Sequence, residues 1–192
     1  VLTNGRPEDH HKLLPWMCAT IVRANPDSRA FCELEGSRFR RLFIAYDASL
    51  NGFILGCRKI LFVDGTHLSG PYEGTLLSAV ALDADDHLFD VAYATVAAEN
   101  NDEWLWFLTV VRECLGGLQP VIMSDRNPTL LFSVPRVFGI ENHTYCVRHV
   151  RENFLTYAGK VGICWQASKD VLKEVFNRVA YAPTGVECGL AM

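Results

Sequence analysis

Lys59-Ile60-Leu61-Phe62-Val63-Asp64 and Pro120-Val121-Ile122-Met123-Ser124-Asp125 are the two stretches on which the reading of this chain turns. Each is a short apolar run that stops at an aspartate, the pattern of a strand presenting a carboxylate at its end. A single aspartate of this kind says little, because aspartate ends strands and opens turns for local hydrogen-bonding reasons. Two, separated by a βαβ-sized stretch, point to a site where a divalent metal could bridge them.

The pattern around the two stretches places them in a fold. After Ile60 to Val63, strands are expected over Thr75 to Leu82 and Phe89 to Val96, joined by the turn-forming Ser69-Gly70-Pro71 and the polar Asp83 to His87. Connections this short favour an antiparallel meander. A helix follows over Asp102 to Leu115, with Trp104, Phe107, Leu108 and Val111 at three- and four-residue spacings and Gly116-Gly117 as its stop. The strand Val121 to Met123 that comes after a helix should return parallel to the meander. Further along, the spacing predicts a short helix over 128–138, a strand over Thr144 to Cys146, a helix over Val147 to Tyr157 and an amphipathic helix over 166–180. Upstream it predicts a leading helix over 8–25, stopped by Asn25-Pro26, and a hairpin of Ala30 to Leu34 and Phe39 to Ala45.

The order β-β-β-α-β-α-β-α is that of a ribonuclease H-like α/β domain with a mixed sheet. In that fold the first strand lies beside the fourth and parallel to it, so Asp64 and Asp125 would end at one edge of the sheet. Carboxylates there suit Mg²⁺ or Mn²⁺, which prefer oxygen ligands. Two such ions serve phosphodiester chemistry by activating an attacking hydroxyl and stabilising the leaving oxygen. The expected organisation is an N-terminal helix and hairpin over 1–57, the core over 58–160, and the start of a truncated helical insertion over 161–192.

Composition bounds these readings. With 192 residues, 49% hydrophobic and 21% charged, the chain has the make-up of a globular domain and excludes disordered and collagen-like classes. A net charge of −4 offers no general attraction for a polyanion, so nucleic-acid contact would need a local basic patch or metals. Its seven cysteines form no CxxC pair, which fits reduced thiols of an intracellular protein. No apolar run reaches membrane-spanning length, so no membrane partner is expected. Val1 and the aperiodic stretch Gly185 to Met192 read as the ends of a fragment.

Several ordered motifs carry a family resemblance. They are Phe62-Val63-Asp64-Gly65-Thr66-His67-Leu68, then Gly74-x-Leu76-Leu77-Ser78-Ala79-Val80, then Glu99 followed by Trp104-x-Trp106-Phe107-Leu108. Ser124-Asp125-Arg126 and Cys146-Val147-Arg148-His149-Val150-x-x-Asn153-Phe154 complete the series. Together with Ala24-Asn25-Pro26-Asp27-Ser28, Phe39-x-Arg41-x-Phe43 and Gly52-Phe53 upstream, this resembles the transposase domain of Mutator-like elements over roughly residues 12 to 160. The resemblance implies a ribonuclease H-like core with an Asp, Asp, Glu triad that binds two metals, cuts DNA at element ends and joins them to a target. Asp64 and Asp125 fall on its first two members. The third is a glutamate well beyond the Cys-x-x-His motif, past where this chain ends, and Glu187 is not assigned to the role. The resemblance also implies DNA as partner, a homo-oligomer for the full-length family member and a nuclear location. The competing expectation is a degenerate or domesticated copy serving as a non-catalytic DNA- or protein-binding module.

Other residues carry weaker signals. His67, three residues after Asp64, is as readily a phosphate neighbour as a plain strand-end polar residue. Cys146 and His149, at helical three-residue spacing, are read as a structural family marker, and zinc is not expected because no second ligand pair accompanies them. Glu99 is weighed as a helix-flanking surface acid before a metal neighbour, and Trp104, Trp106 and Phe107 as core. Arg38, Arg40 and Arg41 are read as a solvated strand face ahead of a phosphate-contacting stripe.

Overall fold

A computed structural model of the chain describes residues 7–36, 38–69, 73–162 and 166–183. Glu187, the Gly185 to Met192 stretch and the Gly70-Pro71 turn lie outside the described residues. Two compact units are present, one spanning Val1–Thr144 and the other Tyr145–Met192.

The first unit is built on a sheet. Its leading helix α1 (Pro7–Ala24) ends where Asn25 turns both its backbone N–H and its side-chain amide onto the Ile21 carbonyl. A hairpin follows, β1 (Arg29–Glu35) antiparallel to β2 (Arg38–Ala45). The Phe31 and Phe43 rings stack across it with centroids 5.6 Å apart. Next comes α2 (Asp47–Gly56), a helix absent from the sequence reading. Its glycines lower helix propensity and its apolar residues do not fall on one stripe, so periodicity hides it. Tertiary packing forms it instead: Leu50 and Phe53 are buried, and Gly52 leaves room for the Phe89 ring, which a Cβ would approach to 2.6 Å. Lys59 then closes the helix by donating to the Phe53, Ile54 and Cys57 carbonyls at 2.8–3.0 Å.

The meander follows as β3 (Ile60–His67), β4 (Thr75–Leu82) and β5 (Leu88–Val96), each antiparallel to the next. After α3 (Asn101–Cys114), β6 (Val121–Ser124) returns parallel to β3, as the sequence implied. The unit continues with α4 (Pro128–Phe138), a 3₁₀ turn at Ile140–Asn142 and β7 (His143–Tyr145). The resulting seven-stranded mixed sheet has the order β1-β2-β5-β4-β3-β6-β7. Because β2 pairs with β5, the hairpin and the meander share that sheet.

One row across the sheet shows how the core is laid. Phe43 pairs with Ala94, Ala94 with Leu77 and Leu77 with Gly65, so these four share a face. Phe43, Ala94 and Leu77 are fully covered, in one apolar cluster with Phe53 of α2, Trp104, Phe107 and Leu108 of α3 and Leu130 and Val134 of α4. Asn100 caps α3 by accepting from the Glu103 N–H at 3.0 Å, and Gly116 and Gly117, both at positive φ, end it.

The second unit consists of α5 (Val147–Lys160) and α6 (Gln166–Ala180). They meet through the Phe154 and Phe176 rings, 5.7 Å apart, and through Arg151 donating to Asn177. No helix among the described residues is long and apolar enough to cross a membrane.

Candidate metal centre

Asp64 is not at a strand end. β3 runs on through Gly65, Thr66 and His67, paired with Leu77, Leu76 and Thr75 of β4. What stops before Asp64 is the other neighbour: the parallel ladder pairs Ile60 with Val121, Leu61 with Ile122 and Phe62 with Met123. Asp64 lies two residues beyond the last pair on β3 and Asp125 two beyond it on the β6 side, so both follow the end of the same parallel ladder. The apolar run ended at Asp64 because the carboxylate lies where one side of the strand loses its partner.

The two carboxylates are anchored alike. The Gly65 N–H donates to Asp64 Oδ1 at 3.0 Å, and the Asn127 N–H donates to Asp125 Oδ1 at 2.9 Å. Their second oxygens receive no hydrogen bond from a described residue. Asp64 is exposed and Asp125 half-buried. Ser78, opposite Asp64, donates its hydroxyl to the Asp64 carbonyl at 3.2 Å.

The supports differ. Asp125 follows the end of β6 and opens a turn into α4, which Asn127 caps by accepting from the Thr129 N–H at 3.0 Å and hydroxyl at 2.9 Å. Pro128 takes the first helical position, where its missing N–H costs nothing. Behind the turn, the buried Ser124 hydroxyl donates to the Asp125 carbonyl at 2.6 Å. It also lies 2.8 Å from His143 Nε2, which must then be the donor of that pair. Burial pushes the His143 pKa down.

Glu99, read from the sequence as a surface acid, belongs to this edge. Its Oε1 accepts from Trp104 Nε1 at 3.0 Å and from Asn127 Nδ2 at 2.8 Å, and its carboxylate lies against Gly65. The signal in the sequence was the five-residue step from Glu99 to a buried tryptophan that needs an acceptor. His67 closes β3 with its Nδ1 3.4 Å from the Thr75 hydroxyl, and both line a cleft of about 640 Å³ with Glu99 and Asn127.

Two further readings change. Arg41 does not lie on a solvated strand face: it is nearly covered, paired with Glu33 at 2.7 Å and Glu103 at 3.3 Å, and lies 4.2 Å over the Trp106 ring. Arg38 and Arg40 remain exposed. Cys146 and His149 are not an i, i+3 pair within one helix, because Cys146 precedes α5 as its extended cap residue. His149 Nδ1 is buried without a hydrogen-bond partner among the described residues. The five cysteines of the described residues are free thiols, and burial pushes those of Cys18, Cys32, Cys57 and Cys114 up, away from nucleophilic reactivity.

Residues 60–153, from the first residue of β3 into α5, match the family model for the MULE transposase domain. The chain carries a MULE transposase domain. The matched segment of this transposase domain includes Asp64, Glu99, Asp125, Cys146 and His149. No curated protein matches the chain. Among the described residues of the domain, no three His, Cys, Asp or Glu side chains come together as a metal-ligand group.

Proposed function

We propose that this transposase domain derives from DNA transposition by metal-dependent phosphodiester cleavage and strand transfer, with Asp64 and Asp125 as its catalytic metal ligands. The observation that carries the reading is the parallel β3–β6 pairing, which ends two residues before both aspartates within a MULE transposase match. The order β5-β4-β3-β6-β7, with an antiparallel meander and a parallel fourth strand, supports a ribonuclease H-like core.

The donor set fits hard cations. Two carboxylates with one oxygen each anchored by a backbone N–H suit Mg²⁺ or Mn²⁺ better than zinc. Such ions, when bound, supply activation of the attacking hydroxyl and stabilisation of the leaving oxygen. The chain's own part is to hold the carboxylates: β3 is fixed by its β4 pairing, and the Asp125 turn by the α4 cap. The partner is DNA, at element ends and target, and the reading carries with it a homo-oligomeric full-length protein and a nuclear location. The triad's third acid would come from outside the described residues.

A second reading is a degenerate or domesticated core that binds DNA or protein without cutting; among the described residues no three possible metal ligands come together. A supercoiled-plasmid assay with Mn²⁺ separates the two. Nicking by the wild-type chain that disappears in both Asp64→Asn and Asp125→Asn supports the catalytic reading. Equal nicking by all three removes the aspartates from the mechanism, and plasmid retention without nicking favours the binding module.

A further inference from the structure

Glu99 joins the surroundings of both aspartates yet faces away from one of them. A Cβ built on Gly65 would meet Glu99 Cδ at 3.2 Å and both carboxylate oxygens at 3.3 Å, so Glu99 covers the face to which residue 65 points. Successive side chains on a strand point to opposite faces, which puts the Asp64 carboxylate on the other side. Glu99 is therefore poorly placed to share a cation with Asp64, in keeping with the absence of a three-member ligand group among the described residues.

Its hydrogen bonds show another role. Trp104 is wholly buried, so its indole N–H is a fixed donor to Glu99 Oε1. The same oxygen accepts from Asn127 Nδ2, and a carboxylate can only accept, which selects one of the two orientations of the Asn127 amide. In that orientation Asn127 Oδ1 faces the Thr129 N–H and hydroxyl, and the Asn127 backbone N–H meets Asp125 Oδ1. We infer that Glu99 is a positioning residue that locks the Asn127 amide, and through it the turn presenting Asp125, without itself holding a cation. This rests on the reading of Asp64 and Asp125 as metal ligands; partners that orient ligands in this way are typically worth about 10- to 100-fold in metal affinity.

The test is a Mn²⁺ titration of the whole chain by water-proton relaxation, paired with metal-free NMR of the Asn127 backbone amide. Glu99→Gln keeps the accepting oxygen and removes the charge, and it binds Mn²⁺ as the wild type does. Glu99→Ala weakens binding by about 10-fold. If Glu99→Gln loses as much as Glu99→Ala, Glu99 is a ligand and the inference is overturned. Asn127→Ser keeps a capping oxygen but loses the amide; it weakens binding by a similar factor, and the Glu99→Ala, Asn127→Ser double variant loses no more. Additive losses would break the proposed link. Should Asp64→Asn and Asp125→Asn leave Mn²⁺ binding unchanged, the metal reading fails by itself. The lock is then judged on the metal-free spectrum, where an Asn127 amide resonance unmoved by Glu99→Ala rejects it.

Discussion

Asp64 and Asp125 each lie two residues past the last β3–β6 pair but are held by opposite means. Asp64 lies inside a strand, paired on one side with Ser78, and the strand's own ladder carries it three residues further to His67. Asp125 lies past the end of a four-residue strand, and its place depends on side chains: Asn127 in front, Ser124 and His143 behind, Glu99 beyond. A strand-held carboxylate is as stable as the sheet. A turn-held carboxylate can be displaced while the sheet survives.

The largest blow to the comparison is through the core. Leu61, on the same strand as Asp64, is fully buried, and Leu61→Ala is expected to cost about 2–5 kcal/mol in urea denaturation. It should lower stability and Mn²⁺-dependent nicking together, because Asp64 is carried by the β3–β4 ladder. Nicking lost at unchanged stability would contradict this. On the other side, Asn127→Ala removes the α4 cap and is expected to cost about 1 kcal/mol, with a loss of nicking out of proportion to that. If the two fall only in step, Asp125 is sheet-held after all.

A smaller effect comes from pH. His143 has its pKa lowered by burial, so the unfolded chain takes up a proton more readily than the folded one. Its contribution is present above the unfolded value of about 6.5 and is lost as pH falls through the folded value. The urea midpoint of the wild type should therefore drop between about pH 7.5 and about pH 5.5 by more than that of His143→Asn. Equal drops would show that His143 titrates freely. The smallest change is expected from Ser78→Ala, within about 0.5 kcal/mol, since the hydrogen bond it removes is exposed and the ladder remains. A larger loss would mean that Asp64 too depends on a side chain.

Much of this architecture was legible in the residues. The meander, the helix over 128–138 and the parallel return of Val121 to Met123 follow from apolar runs, turn residues and chain-crossing rules. The continuation of β3 was not legible, because Gly65-Thr66-His67 has no apolar pattern and is a strand only by pairing with β4. Nor was α2, whose two glycines and unstriped apolar residues make sense only under Phe89 and beside the sheet. Glu99 was visible as an acid but not as a hub, since one partner lies on α3 and the other in the turn that caps α4, distant in the sequence.

The amino-acid sequence by itself determined that two apolar runs end in aspartates, a helix apart, within the ordered motifs of a transposase domain. Local pattern and chain order suffice for that. Only the tertiary structure decided that Asp64 sits mid-strand and that the parallel ladder to β6 stops two residues before both aspartates. It alone also decided that Glu99 turns away from Asp64 to hold Asn127. Register and hydrogen-bond direction arise between segments, through pairings that no single stretch of chain encodes.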